Sequence, residues 1–310
     1  MENTRAKTTR NSLILLLTAT IWGMAFVSQS KGMDYMHPFT FNGVRSLIGA
    51  AGILVYILIS RKIAGDKAAK LDWKLNVKAG LLCGIFLTIA STLQQFGIKY
   101  TSVGKAGFIT TLYIIFVPMF GIFLKKKVAP VVWAAAGMAA VGMYLLCMTE
   151  SLCLGAGDIM VFLCAIAFAI QIMTVDHYAA RIDGAVVSCI QFTVCGVVCC
   201  IGALIWGQPT FGQIQEGLGA LLYAGVLSCG VGYTLQIVGQ KGLNPTVAAL
   251  IMSLESVIAT ISGWIAYKIG FLSTDQTLTP RQIAGCVIVF AAVILVQLPP
   301  EWFCFGKKNA

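Results

Sequence analysis

Charge is what this sequence has least of. Asp, Glu, Lys and Arg make up 11% of its residues and hydrophobic residues 58%, whereas soluble domains carry about 25% charged residues. That shortage excludes a water-soluble fold. Histidine is nearly missing too: His37 and His177 are the two in 310 residues, and both fall at the ends of apolar runs. A histidine-rich metal centre has too few ligands here. No G-x-x-x-x-G-K-[ST] stretch occurs, so the chain carries no phosphate-binding loop for ATP hydrolysis. No D-x-x-x-D pair or Ser/His arrangement supplies a catalytic constellation, so neither an enzyme nor a cofactor is expected. The eleven cysteines are odd in number. Cys195, Cys199 and Cys200 cluster without a His or Asp at ligand spacing, and they read as small apolar packing residues.

What the chain has in abundance is long apolar runs. A spanning helix needs roughly 20 mostly apolar residues. Ten segments qualify: 12–30, 39–59, 75–93, 104–124, 130–149, 158–175, 185–206, 217–237, 246–268 and 281–298. The fold expected is therefore all-α and integral to the membrane, with ten transmembrane helices and no room for a soluble domain. No cleavable signal is expected: the first run follows a basic start, but it lacks an A-x-A exit and reads as the first span.

The net charge of +10 invites a nucleic-acid partner, and its placement argues against one. With both termini on the cytoplasmic side, 16 Lys and Arg face inward, among them Arg61, Lys62, Lys67, Lys70, Lys125, Lys126, Lys127, Arg181, Lys241, Lys307 and Lys308. Five face outward: Lys31, Lys99, Lys105, Lys268 and Arg281. This is the positive-inside pattern of a multi-pass protein with cytoplasmic N- and C-termini.

The chain also repeats itself. Residues 94–121 and 236–263 align without gaps, with Gln94/Gln236, Gly97/Gly239, Lys99/Lys241, Ala106/Ala248, Ile109/Ile251, Leu112/Leu254 and Gly121/Gly263 identical. A fainter register pairs Leu17/Leu163, Ala19/Ala165 and Arg45 with Gln191. Five spans fall in 1–150 and five in 151–310, which sets two repeat units. An odd number per half means that the second half inserts inverted relative to the first. Inverted repeats place a binding site near the bilayer midplane.

Polar residues inside spans are costly and need a reason. In the first half they are Arg45, Gln94, Gln95, Thr110, Thr111 and Tyr113; in the second, Gln171, Gln191, Tyr233, Gln236, Ser253 and Glu255. The two sets lie towards opposite faces, as halves of a substrate pathway would. Hydrogen bonding between neighbouring helices is the other account of them. Glu255 is the one carboxylate well inside an apolar span. It could bind a cationic part of a substrate, carry a proton, or serve as a structural acid. Arg45 could hold a substrate carboxylate, pair with Asp34, or lock helices. Trp22-Gly23 offers an aromatic face beside a gap in mid-span. Pro118 should kink the fourth span. Gly80-x-x-x-Gly84 and Ser228-x-x-x-Gly232 allow close helix contact, and Asn244 and Thr279 can cap helices.

These residues resemble the drug/metabolite transporter superfamily, specifically its EamA-type exporters, over almost the whole chain. The resemblance rests on Trp22-Gly23, Arg45, the stretch Tyr100-Thr101-Ser102-Val103-Gly104-Lys105-Ala106-Gly107, Asn244-Pro245-Thr246, and Leu254-Glu255-Ser256-Val257. It implies an all-helical fold in the bacterial inner membrane and movement of small metabolites, often outward. Two departures stand out. Ser256 occupies a position where members often have Pro. Lys125-Lys126 and Tyr267-Lys268 stand where many end a helix with Gly-Glu, which weakens any transfer of that Glu's role. The expected function is a secondary transporter of amino-acid-like or other small organic solutes working by alternating access, with the lipid bilayer as its other partner. A channel or a non-transporting scaffold is the alternative. Monomer and homodimer are both open.

Overall fold

A computed structural model describes residues 2–65, 71–124, 130–147, 155–272 and 276–297. Lys67, Lys70, Lys125, Lys126, Lys127, Lys307 and Lys308 lie outside the described residues. The first half holds α1 (Glu2–Gly32), α2 (Pro38–Ala64), α3 (Trp73–Ile98), α4 (Val103–Thr111), α5 (Tyr113–Phe123) and α6 (Pro130–Cys147). The second holds α7 (Ala156–Tyr178), α8 (Gly184–Gly202), α9 (Phe211–Glu216), α10 (Leu218–Leu222), α11 (Tyr233–Gln240), α12 (Pro245–Met252), α13 (Leu254–Lys268) and α14 (Pro280–Gln297). A π-helical stretch Ala203–Gly207 continues α8, and another, Tyr223–Gly232, joins α10 to α11. Among the described residues there is no strand.

Helix starts follow from local chemistry. Pro38, Pro130, Pro245 and Pro280 each open a helix, where a missing N–H costs nothing. Side chains then satisfy the free first-turn amides. Asp72 accepts from Leu75 N–H at 3.0 Å, Asn244 from Thr246 N–H at 2.9 Å, and Asp183 from Ala185 and Val186 N–H at 2.9 and 3.2 Å. Thr279 and Gln282 cap α14 reciprocally. The capping expected of Asn244 and Thr279 is thus present, and Asp183 caps α8 in the same way.

Among the described residues, eight helices are long and apolar enough to cross a membrane: Lys7–Gly32, Pro38–Ala64, Trp73–Ile98, Val103–Phe123, Ala156–Tyr178, Gly184–Gly207, Leu218–Gln240 and Pro245–Lys268. The expected fifth and tenth spans are the shorter apolar helices Pro130–Gly142 and Pro280–Leu295. The surface inverts that of a soluble protein. Leu54, Val55, Leu58, Ile59, Val197, Val198, Ile201, Val287 and Phe290 are exposed, while Arg45, Gln94, Gln95, Gln171, Gln236 and Glu255 are buried. That is the arrangement that lipid selects.

The packing repeats between the halves. α3 packs on α7, and α11 with its π-helical lead-in packs on α1; α7 contacts α4 and α5, and α1 contacts α12 and α13. Exchanging α1 with α7, α2 with α8, α3 with α11 and its lead-in, α4–α5 with α12–α13 and α6 with α14 maps these contacts onto one another. Equivalent helices meet antiparallel. Along α2 and α8, Gly43 lies against Cys200 and Leu47 against Gly196, and Cys189 Sγ donates to Ala50 O at 3.6 Å. Along the fourth and ninth spans, Val103 lies by Gly263, Gly104 by Thr260 and Gly107 by Ala259. A two-fold axis relating antiparallel neighbours runs across the helices, so the halves are inverted repeats.

Close approach depends on glycine at two paired positions. A Cβ at Gly97 would lie 2.3 Å from Val161 Cγ2, and one at Gly239 would lie 2.8 Å from Leu15 Cδ2. The two contacts are images of each other under the exchange.

Candidate functional site

The fourth and ninth spans are each broken in mid-membrane, at equivalent places. α4 ends at Thr111 and α5 restarts at Tyr113; α12 ends at Met252 and α13 restarts at Leu254. Pro118 does not set the first break, which falls more than a turn before it, and the ninth span has no proline beyond Pro245 at its start. Side-chain hydroxyls instead compete for the carbonyls at both places. Thr111 Oγ1 donates to Phe108 O at 2.9 Å, and Ser253 Oγ donates to Leu250 O at 2.7 Å. Thr111 and Ser253, expected on the pathway, do not line the central cavity. They occupy the same repeat position, and both bend their own helix.

The broken points meet. Tyr113 Oη donates to Glu255 Oε1 at 3.0 Å, and both side chains are buried. These residues occupy one repeat position, so their bond lies on the pseudo-two-fold axis. Around it is a cavity of about 30 Å³, room for about two waters. Trp22, Arg45, Gln94, Tyr113, Gln171, Tyr233, Gln236 and Glu255 line it, all of them singled out from sequence, as does Thr110. Phe26, Gln29, Phe168, Ile172 and Ser228 also line it. Gln29 carried a readable signal, a polar residue within the first run; apolar Phe26, Phe168 and Ile172 carried none.

The lining is cross-braced. Gln171 and Gln236 exchange amide hydrogen bonds at 3.5 and 3.2 Å. Gln94 Nε2 donates to Thr110 Oγ1 at 3.2 Å. Trp22 Nε1 donates to Ser228 O at 3.4 Å, and its ring lies 4.5 Å from that of Tyr233. The gap expected beside Trp22 is filled, because Gly23 lies against Ile258 and the Glu255 backbone and so lets α1 meet α13.

Arg45 is 4% exposed and forms no ion pair among the described residues. Asp34, its expected alternative partner, pairs with Lys31 at 3.0 Å. Arg45 Nε instead donates to Asn42 Oδ1 at 2.9 Å. Asn42 Nδ2 in turn reaches Ser91 Oγ at 3.0 Å and Cys199 Sγ at 3.4 Å. Sequence reasoning missed Asn42, although a polar residue three positions before an arginine shares its helix face. Cys195 and Cys199 belong to this polar cluster, with Cys195 Sγ 3.4 Å from Ser91 Oγ, so they do more than fill apolar space.

Besides Thr111 and Ser253, two more expected site residues fall outside the cavity. Gln95 Nε2 donates to Gln29 O at 3.3 Å, which braces α3 on α1. Gln191 is fully buried, and neither its side-chain nitrogen nor its oxygen has a hydrogen-bond partner.

The halves are also tied at one end of the bundle. Asp158, 4% exposed, accepts from Lys105 Nζ at 2.6 Å, Thr101 Oγ1 at 2.9 Å and Gly155 N–H at 2.9 Å. Towards the other end of the bundle Asn11 Nδ2 donates to Lys241 O at 2.7 Å, and no ion pair joins the halves there among the described residues. No group of three or more His, Cys, Asp or Glu among the described residues could hold a metal.

Inverted repeats, two helices broken at equivalent points and a polar cavity between them are features of membrane transporters built from two related halves. The chain belongs to the EamA-like transporter family, which matches it twice, over residues 10–148 and 155–298. An uncharacterized transporter from Archaeoglobus fulgidus is 28% identical over 290 residues, covering 92% of this chain and 84% of that protein. The uncharacterized transporter YwfM of Bacillus subtilis is 24% identical over 295 residues, covering 94% of each. A crystal structure with 16% identity superposes with a TM-score of 0.71 over 93% of this chain and 96% of the other, which supports the fold.

Proposed function

We propose that this chain is a secondary transporter that moves small organic solutes, amino-acid-like ones among them, by alternating access through the central cavity. Direction is taken as outward across the bacterial inner membrane, with both termini cytoplasmic. Residues 1–150 and 151–310 would be the moving units, with α6 and α14 as the fifth and tenth spans. The observation that carries this reading is the Tyr113–Glu255 bond, where two broken helices meet on the axis relating the halves. Contacts on such an axis can persist while the halves exchange conformations; contacts off it must swap with their images. A cavity of about 30 Å³ is too small for a metabolite, so the site must widen to load.

Trp22, Arg45, Gln94, Tyr113, Gln171, Tyr233, Gln236 and Glu255 would contact the solute. Gln191, the repeat partner of Arg45, would contact it in the opposite state. Gln95, Thr111 and Ser253 would support the pathway from behind. The test is counterflow in proteoliposomes against a panel of solutes, with and without a proton gradient. Saturable, counterflow-stimulated uptake of one solute supports a carrier. Steady current in a planar bilayer would show a channel, and neither activity would leave a scaffold.

A further inference from the structure

The Arg45–Asn42 pair has a counterpart in the second half. α2 opens at Pro38 and α8 at Gly184, so the register that sets Arg45 against Gln191 also sets Asn42 against Ser188. Each pair is spaced i, i+3 and so shares one helix face. All four residues are buried. Their hydrogen bonding differs. Arg45 Nε donates to Asn42 Oδ1 at 2.9 Å, and Asn42 Nδ2 reaches Ser91 Oγ and Cys199 Sγ. Ser188 Oγ, Gln191 Nε2 and Gln191 Oε1 have no partner among the described residues.

The surroundings of the second pair explain this. Cys195 and Cys199, which meet Asn42, have Gly49 and Ile53 as their images on α2, and neither has a side chain that can donate or accept. Thr92 lies 3.4 Å from Asn42 Nδ2, whereas its image Thr234 turns its hydroxyl back to Gly230 O at 2.8 Å. Ser91 has Tyr233 as its image, and Tyr233 lines the central cavity. Phe192, next to Gln191 on α8, packs edge-on against that ring at 5.0 Å. Buried polar atoms without partners cost stability, and an apolar pair would have avoided that cost. Three such atoms within one helical turn, behind a wall of the cavity, point to a partner that arrives from outside the fold.

We propose that Ser188 and Gln191 form a second subsite of the pathway, which takes a neutral hydrogen-bonding group of the solute, a hydroxyl or a carboxamide, in the state opposite to the one that loads Arg45. This rests on the carrier reading and adds to it the chemistry of the second half. Where Arg45 offers a charge, Ser188 and Gln191 offer a hydroxyl and an amide, each both donor and acceptor. A site built of such groups rejects solutes that would leave them unpaired. Access requires Tyr233 to part from Phe192. Tyr233 directly follows the π-helical stretch Tyr223–Gly232, where the matching part of α3 is regular α-helix.

Two measurements test it. Counterflow in proteoliposomes is compared for L-serine against L-alanine and for L-asparagine against L-leucine, pairs in which one hydroxyl is lost or an amide becomes an apolar group of like size. Wild type should favour the polar member about tenfold or more, and Gln191→Leu should reduce that preference to about twofold or less. Thermal unfolding in detergent is the second readout. Gln191→Leu should unfold a few degrees above wild type, because it removes unpaired atoms and keeps the volume; an amide bonded within the fold would make the variant unfold lower. Should Gln191→Leu not fold, Ser188→Ala carries the same two expectations. Saturable counterflow without a polar preference, or a preference that survives the substitution, overturns the subsite and leaves the carrier reading standing. A folded variant that unfolds below wild type overturns the subsite as well. No saturable counterflow of any of the four solutes removes the subsite together with the amino-acid-like carrier on which it rests.

Discussion

Glu255 and Arg45 bring a carboxyl group and a guanidinium to one small cavity, and among the described residues they form no ion pair with each other. Glu255 is held by a phenol and Arg45 by an amide, so Glu255 keeps capacity for a solute group or a proton and Arg45 keeps donors for a solute group. Glu255→Gln should abolish the response of counterflow to a proton gradient while leaving the protein folded; full transport with full pH dependence in that variant would remove Glu255 from both coupling and binding. Asn42 acts at one remove. Asn42→Leu should raise the KM of the transported solute about tenfold with kcat little changed, because Arg45 loses its orienting partner. An unchanged KM in a folded Asn42→Leu variant would leave Asn42 as ordinary packing. The chemistry of Glu255 and Arg45 was legible in the sequence, since intramembrane charges are rare enough to stand out. Asn42 and Gln29 were less so, because an amide in a helix signals equally a bond to a neighbour and a wall of a cavity.

At the level of single helices, glycine spacing and caps decide who can touch whom. Gly97→Ala should cost about 1–3 kcal/mol of stability, because the added methyl would meet Val161 and the Gly157 carbonyl. A Cβ at Gly137 meets nothing within 4 Å, so Gly137→Ala should be neutral or gain about 0.5–1 kcal/mol from helix propensity. Thermal unfolding in detergent distinguishes the two. The start of α2 should respond to pH. His37 Nδ1 accepts from Phe39 N–H, a bond that needs neutral imidazole, and burial together with nearby Lys99 holds His37 below its ordinary value. A depressed folded pKa means that the unfolded chain takes up the proton first, so stability is full above about 6.5 and falls as pH drops through the folded value. His37→Asn, which caps without titrating, should flatten that acid limb of the unfolding curve; an unaltered limb would assign it to other groups. The helix starts were readable from Pro, Asn and Thr. The break in the fourth span was not, because Pro118 drew the kink to itself while the competing hydroxyl of Thr111 gave no comparable mark.

Across the whole molecule, the two ends of the bundle are closed by unlike contacts. One end has the Lys105–Asp158 ion pair with Thr101; the other has Asn11 on a backbone carbonyl. In the proposed topology the ion pair lies on the outer side and ties the start of α4 to the start of α7; if it gates, its loss should open that side. Lys105→Gln should raise the labelling of a cysteine placed at Gln94 by an impermeant thiol reagent added from outside, in a background whose native cysteines are replaced. The exchanged pair Lys105→Asp with Asp158→Lys should restore protection. Equal labelling in all three proteins would show that the ion pair ties helices without gating them.

The sequence by itself determined the class. Scarce charge and long apolar runs dictate membrane helices, because unpaired backbone cannot face lipid, and the self-match of 94–121 with 236–263 exposes two related halves. It also named most of the cavity's polar lining, since burying such groups in hydrocarbon is too costly to happen by chance. Only the tertiary structure decided which of those groups converge. Thr111 and Ser253 turn back on their own helices, Gln95 braces a neighbour, and Gln191 lies off the cavity, although all four look alike along the chain. Tyr113 and Glu255 stand 142 residues apart. What joins them is antiparallel packing of equivalent helices about a two-fold axis, a relation between surfaces that no local spacing encodes.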